Sequence, residues 1–143
     1  MDSNSLVEGL KESLLDLQGT EVVYSNISRM KRVFQLKGKI NGFIYVKTIT
    51  HRPYHWGITK TTVDNIKTKG KPWCVILLYE SPNKGYVIPS KDYNERTQSN
   101  LWPDAQGDYK ISCGKSLVGI REFKTVEKLF SILLKNIFTN SIY

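Results

Sequence analysis

Trp73-Cys74-Val75-Ile76-Leu77-Leu78-Tyr79 is an apolar run with no polar alternation. A strand with one wet face alternates, whereas a strand covered on both faces reads as a continuous apolar stretch. The run therefore predicts a central strand with structure packed above and below it. Ser81-Pro82-Asn83-Lys84-Gly85 follows as a turn, and Tyr86 to Ile88 returns as a neighbouring strand.

Working upstream, Thr59 to Lys69 reads as a short helix, with Gly70 as its stop and Pro72 just beyond. Three strands precede it, at Glu21 to Tyr24, Val33 to Lys37 and Phe43 to Thr48. Asn41-Gly42 supplies the hairpin signal between the last two. Pro53 to Trp56 reads as a loop. Ser5 to about Leu17 is an amphipathic helix, because Leu6, Leu10, Leu14 and Leu17 recur at helical spacing. Ser5 and Glu8 form a capping-box pattern, and Gly19 closes the helix.

Downstream, residues 90 to 108 predict a short helix and then a loop, and Tyr109 to Cys113 a short edge strand. Thr125 to about Phe138 is a closing helix with Val126, Leu129, Phe130, Leu133, Leu134 and Ile137 on one stripe. The order, αβββαββ(α)βα, predicts a single α/β (α+β) domain over residues 1–143, with a central mixed sheet flanked by helices. The middle helix makes the crossover to the buried strand.

Charge is unevenly placed. Eleven of the 21 Lys and Arg residues fall between Arg29 and Lys71, against the single acid Asp64, so this segment carries +10. The rest of the chain holds 10 basic and 12 acidic residues. A concentrated positive field attracts polyanions, and nucleic acid, DNA before RNA, is the leading partner. No apolar run approaches the roughly 18 residues a membrane-crossing helix needs. No signal-peptide pattern opens the chain. Cys74 and Cys113 lack metal-ligand spacing, and Cys74 reads as a core residue. A reduced, cytoplasmic setting is the expectation.

The strand Gly42-Phe43-Ile44-Tyr45-Val46-Lys47-Thr48, with the helix before it and the apolar strand after it, resembles the core of the PD-(D/E)XK nuclease superfamily, the restriction-endonuclease-like fold. The resemblance covers roughly residues 5 to 90, and Gly85-Tyr86-Val87-Ile88-Pro89 resembles a later strand of that family. It implies an acid on the second core strand, a carboxylate-x-Lys tripeptide on the third, Mg²⁺ as cofactor and a homodimer where both strands of a duplex are cut. Carboxylates hold the metal, the metal activates water, and the lysine stabilises developing charge.

In this chain Gln35 stands at the strand position and Tyr45 at the tripeptide position, which leaves Lys47. A shifted register uses Gln35-Leu36-Lys37 with Glu21 as the upstream acid. The catalytic candidates are therefore Lys47, Gln35 and Glu21. Glu8 and Glu12 are the candidates for the glutamate that the family often adds from its first helix, and no metal ligand set is assigned.

Thr48 to Lys60 mixes cations, hydroxyls and aromatics. Arg29, Lys31, Arg32, Lys37, Lys39, Arg52 and Lys60 are candidates for phosphate contacts, and His55 and Trp56, beside Tyr54, for stacking on bases. Thr59, Thr61 and the helix-start amides offer further donors. His51 and His55 have a zinc-like spacing that Pro53 breaks. Asp104 and Asp108 lack the dense ligand alternation of a calcium loop. Three readings stay open: a divergent Mg²⁺-dependent nuclease, a nucleic-acid binder without cleavage, and a basic protein-interaction module of the defence- or phage-related kind.

Overall fold

The computed structural model describes residues 2–16, 20–24, 32–38 and 40–137. Leu17, Gly19, Arg29, Lys31, Lys39 and Phe138 lie outside the described residues, as does the side chain of Ile137.

The chain begins with helix α1 (Ser3–Leu15), then strands β1 (Thr20–Tyr24), β2 (Val33–Gly38), β3 (Gly42–Ile49) and β4 (His55–Thr59). Helix α2 (Lys60–Lys67), strands β5 (Trp73–Tyr79) and β6 (Gly85–Pro89) and helix α3 (Ser90–Gln98) follow. Strands β7 (Asp104–Ala105) and β8 (Asp108–Ser112), a 3-10 turn at Lys115–Leu117 and strand β9 (Arg121–Phe123) lead to helix α4 (Val126–Ile132). A π-helical turn, Leu133–Ile137, continues α4.

The strands form a six-stranded sheet in the order β1-β2-β3-β5-β6-β9 and a three-stranded sheet in the order β4-β8-β7. In the large sheet only β3 and β5 run parallel; the other pairs are antiparallel. β9 closes one side of this sheet as an edge. No described helix is long and apolar enough to cross a membrane.

All seven residues of β5 are buried, and they alternate between two cores. Cys74, Ile76 and Leu78 pack with Leu6, Leu10 and Leu14 of α1 and with Leu129, Ile132 and Leu133. Trp73, Val75, Leu77 and Tyr79 face Trp56 and Ile58 of β4, Val63 and Ile66 of α2, Tyr93 of α3, and Ile111 of β8. The small sheet with α2 and α3 thus covers one face, and α1 with α4 covers the other. Each fully buried large aliphatic side chain contributes about 1.5–3 kcal/mol by leaving water.

Several details depart from the sequence reading, and β8, expected as an edge strand, is the middle strand of the small sheet. The N-cap of α1 is Asp2, whose carboxylate accepts from the Ser5 backbone N–H at 2.8 Å. That places Ser5 inside the helix instead of at its cap, and Glu8 pairs with Lys11 at 3.5 Å. The expected loop at residues 53–56 runs into β4, whose partner is the distant β8. Strands β7 and β9 are too short for a periodic signal. Elsewhere, Asn41 pins the β2–β3 turn by accepting from Gly38 N and donating to Gly38 O. Gly70, at φ +62°, takes the left-handed turn after α2.

Candidate nucleic-acid interface at the C-terminal ends of β3 and β5

Strand alternation sets which side chains share a face. Phe43 and Tyr45 lie in the core under the small sheet, so Lys47 and Gln35 project from that same side, as does Glu21 by its pairing with Lys37. Sharing a face does not bring them together. Gln35 pairs with Phe43, four residues before Lys47, or about 13 Å along the sheet at roughly 3.3 Å per residue. Glu21 pairs with Lys37 and lies on β1, still further from the Lys47 end. The trio Lys47, Gln35 and Glu21 is dispersed along the sheet.

The shifted register fares differently. Glu21 and Lys37 stand directly opposite on β1 and β2, both exposed. Facing positions on neighbouring strands suit opposite charges. Helix α1 packs on the other face of the sheet, so Glu8 and Glu12 do not join Lys47. Among the described residues, no three His, Cys, Asp or Glu side chains converge to hold a metal ion.

Lys47 shares its end of the sheet with Arg32, which stands opposite Val46 and turns toward α1 on the other face. Lys47 lines a cleft of about 130 Å³ with Arg32, Val46 and Thr48. The last β2–β3 hydrogen bond, from Val46 N to Arg32 O at 2.9 Å, fixes Arg32 beside the strand just before Lys47. Arg32 donates to Ser3 O at 3.4 Å and to Asn4 Oδ1 at 3.2 Å, both neutral acceptors, so these contacts orient the guanidinium and leave its charge. The Lys47 ammonium lies 5.8 Å from the Tyr45 ring centre.

Beyond the cleft, the loop from β3 to β4 carries Arg52 and a larger pocket. It has a volume of about 520 Å³ and is lined by Arg52, Pro53, Tyr54 and Cys113. Arg52 Nε donates to the Tyr54 hydroxyl at 3.3 Å, and its guanidinium lies 5.4 Å from the ring centre. The bond to Tyr54 holds the Arg52 pKa above its ordinary value. The Tyr54 hydroxyl in turn donates to Glu80. Tyr79 backs the Tyr54 ring at a centroid distance of 4.9 Å, and the Tyr86 hydroxyl lies 3.3 Å from Cys113 Sγ.

The remaining candidates separate. Trp56 is buried, only 3% exposed, and its indole N–H donates to Leu78 O at 3.1 Å. It closes the core and is not available to stack on a base. Lys60 is paired with Asp104, and its ammonium lies 4.7 Å from the Tyr109 ring centre. The hydrogen bond its ammonium donates to Asp104 holds its pKa above the usual lysine value. At the α2 start, Thr59 N donates to the Tyr45 hydroxyl and Lys60 N to Gly107 O, so these two amides are already engaged.

His55 is exposed and its Nδ1 lies 3.0 Å from Pro53 O, at the start of β4. Lys37 is exposed at the opposite end of the sheet from Lys47. Lys67 is there too, over Trp73 and Tyr93. The basic segment therefore divides between two ends. Arg32, Lys47 and Arg52 gather where β3 and β5 finish, and Lys37 and Lys67 gather where they begin.

The Tyr79, Tyr86 and Cys113 neighbourhood went unnoticed in the sequence. Its one visible signal is that tyrosines recur at strand ends, at Tyr79 and Tyr86, close to the aromatic loop. No protein-family model matches the chain, and no curated protein matches it.

Proposed function

We propose that the protein binds nucleic acid, DNA in the first instance, along the C-terminal ends of β3 and β5. The observation that carries this is a cleft beside β3 that both Arg32 and Lys47 line, with Arg52 further along the same end of the sheet. Cations grouped at one end of the sheet suit the phosphates of a strand that crosses it, and such contacts position a strand without reading its sequence.

The antiparallel β1-β2-β3 run, the parallel β3/β5 pair and the intervening α2 support a restriction-endonuclease-like core. The proposed activity is binding without phosphodiester cleavage. Lys47 has neither Gln35 nor Glu21 beside it, and the acid position of its tripeptide is the buried phenol Tyr45.

A titration of duplex DNA over a salt series tests the reading. Three phosphate contacts predict that log K falls against log salt with a slope of about −2 to −3. A flat dependence rejects it. Incubation of the same duplex with Mg²⁺ is expected to leave it intact, and cutting that disappears in Lys47→Ala would restore the nuclease reading.

A further inference from the structure

We infer that the pocket formed by Arg52, Pro53, Tyr54 and Cys113 seats one unpaired nucleotide of a single strand, its base against the Pro53–Tyr54 wall and its phosphate on Arg52. The inference rests on the nucleic-acid reading and specifies what the same end of the sheet selects.

The pocket's 520 Å³ falls within the about 300–1,000 Å³ typical of small-ligand sites. Its walls are a proline ring, a phenol and a thiol, with a guanidinium as the one charged member. That combination suits a group that is flat over most of its body and anionic at one end. Tyr54 is braced for the task, because Tyr79 stands behind it and its hydroxyl is held by Arg52 and Glu80. Aromatic and guanidinium planes are the usual stacking partners of unpaired bases. A base held in a duplex has both faces covered and cannot enter a pocket of this kind without leaving the stack.

Position supports the same occupant. Arg52 follows Lys47 by five residues, so a strand with a phosphate on Lys47 reaches the pocket within a few nucleotides. Free nucleotides share the chemistry but have no use for the neighbouring cations.

Cys113 makes the test direct. It is exposed and lines the pocket, whereas Cys74 is fully buried, so alkylation of the native protein reports on Cys113. The probe is an oligothymidylate of about 12 nucleotides, within the range single-strand sites cover. At ten times its Kd, as measured by fluorescence anisotropy, it is expected to slow iodoacetamide alkylation of Cys113 by about tenfold. A blunt duplex bound to the same saturation is expected to leave the rate within about twofold. Arg52→Gln should lose the protection while retaining part of the affinity through Arg32 and Lys47.

Oligothymidylate that binds without protecting Cys113 overturns the inference and leaves the basic-cleft reading standing. Equal protection by the duplex overturns the requirement for an unpaired base. Protection by thymidine monophosphate at the same nucleotide concentration as the oligomer overturns the strand as its source. Full protection persisting in Arg52→Gln overturns the phosphate assignment. Absence of binding by either polymer overturns both readings.

Discussion

The Tyr79 hydroxyl donates a 2.6 Å hydrogen bond to the Glu122 carboxylate, tying the end of the buried central strand to the edge strand β9 across β6. Tyr79 is mostly buried and Glu122 exposed, so the bond anchors a surface carboxylate to the core. Tyr79→Phe keeps the packing and removes the bond. It is expected to cost about 1 kcal/mol, a modest value for a hydrogen bond to a partly solvated charge. A urea denaturation midpoint measures it, and an unchanged midpoint would show that the bond contributes nothing.

Alkaline pH is expected to destabilise the protein. Burial, followed by the bond to Glu122, raises the Tyr79 pKa; burial, followed by the contact with Cys113, raises that of Tyr86; burial also raises that of Tyr93. In the unfolded chain these phenols ionise near pH 10. Above that pH the native state binds more protons than the unfolded one, so stability falls as pH rises. Below about pH 10 this contribution is fully present. Thermal melts between about pH 8 and pH 11 check the sign, and Tyr93→Phe should flatten the alkaline decline.

Trp56 provides a clean separation of packing from binding. Trp56→Phe removes the indole bond to Leu78 O and leaves unfilled space in the core beneath β4. The expected loss of stability is about 1–3 kcal/mol. DNA affinity of the folded variant should stay within about twofold. A selective loss of single-strand affinity would return Trp56 to the interface.

Cations in the two settings should behave differently. Arg32→Ala and Lys47→Ala are each expected to weaken duplex binding about fivefold, equivalent to ~1 kcal/mol. Each should also reduce the salt slope by about one. Lys60→Ala should change affinity by less than about twofold, because Asp104 already holds that ammonium. Equal losses at all three positions would indicate a diffuse electrostatic field in place of a cleft.

Gly85 sits where β6 leaves the turn, and a Cβ there would run into the Leu77 carbonyl oxygen, with the Phe123 ring at 3.1 Å. The obstruction is backbone in the central strand and has nowhere to move. Gly85→Ala is expected to cost at least about 3 kcal/mol. Gly70→Ala, in open space at φ +62°, should cost only about 1 kcal/mol. Parallel denaturation curves separate the two.

How much of this was legible in the chain depends on how locally each element is encoded. Trp73 to Tyr79 declared itself because two-sided burial removes every polar residue from a strand. The leucines of α1 did the same through helical spacing. β4 was missed because His55 and Gly57 lie beside Trp56 and Ile58 in a mixed, loop-like run, and only pairing with the remote β8 makes it a strand. β9, with Arg121 and Glu122 exposed and Phe123 buried, is too short to show a periodic pattern.

The site followed the same rule. Sequence placed Lys47 on the third strand, yet register decided that Gln35 and Glu21 lie elsewhere along the sheet. The aromatic loop pointed to stacking, but Trp56 falls within β4 and is buried in the core, whereas Tyr54 precedes the strand and stays half-buried at the core's margin. Cys113 approaches Tyr54 through a backbone bond from Cys113 N to Tyr54 O at 3.2 Å, a long-range contact that no local motif encodes.

The brevity of β9 bears on self-association. An exposed sheet margin is a template for another chain, and proteins blunt it with short strands and charge. Here the margin is three residues long, with Arg121 and Glu122 exposed and Lys124 just after it. A second copy would find little backbone to zip onto and a row of ions in its way. Extension of the sheet past β9 is thus not the expected route for a second copy of this protein to attach.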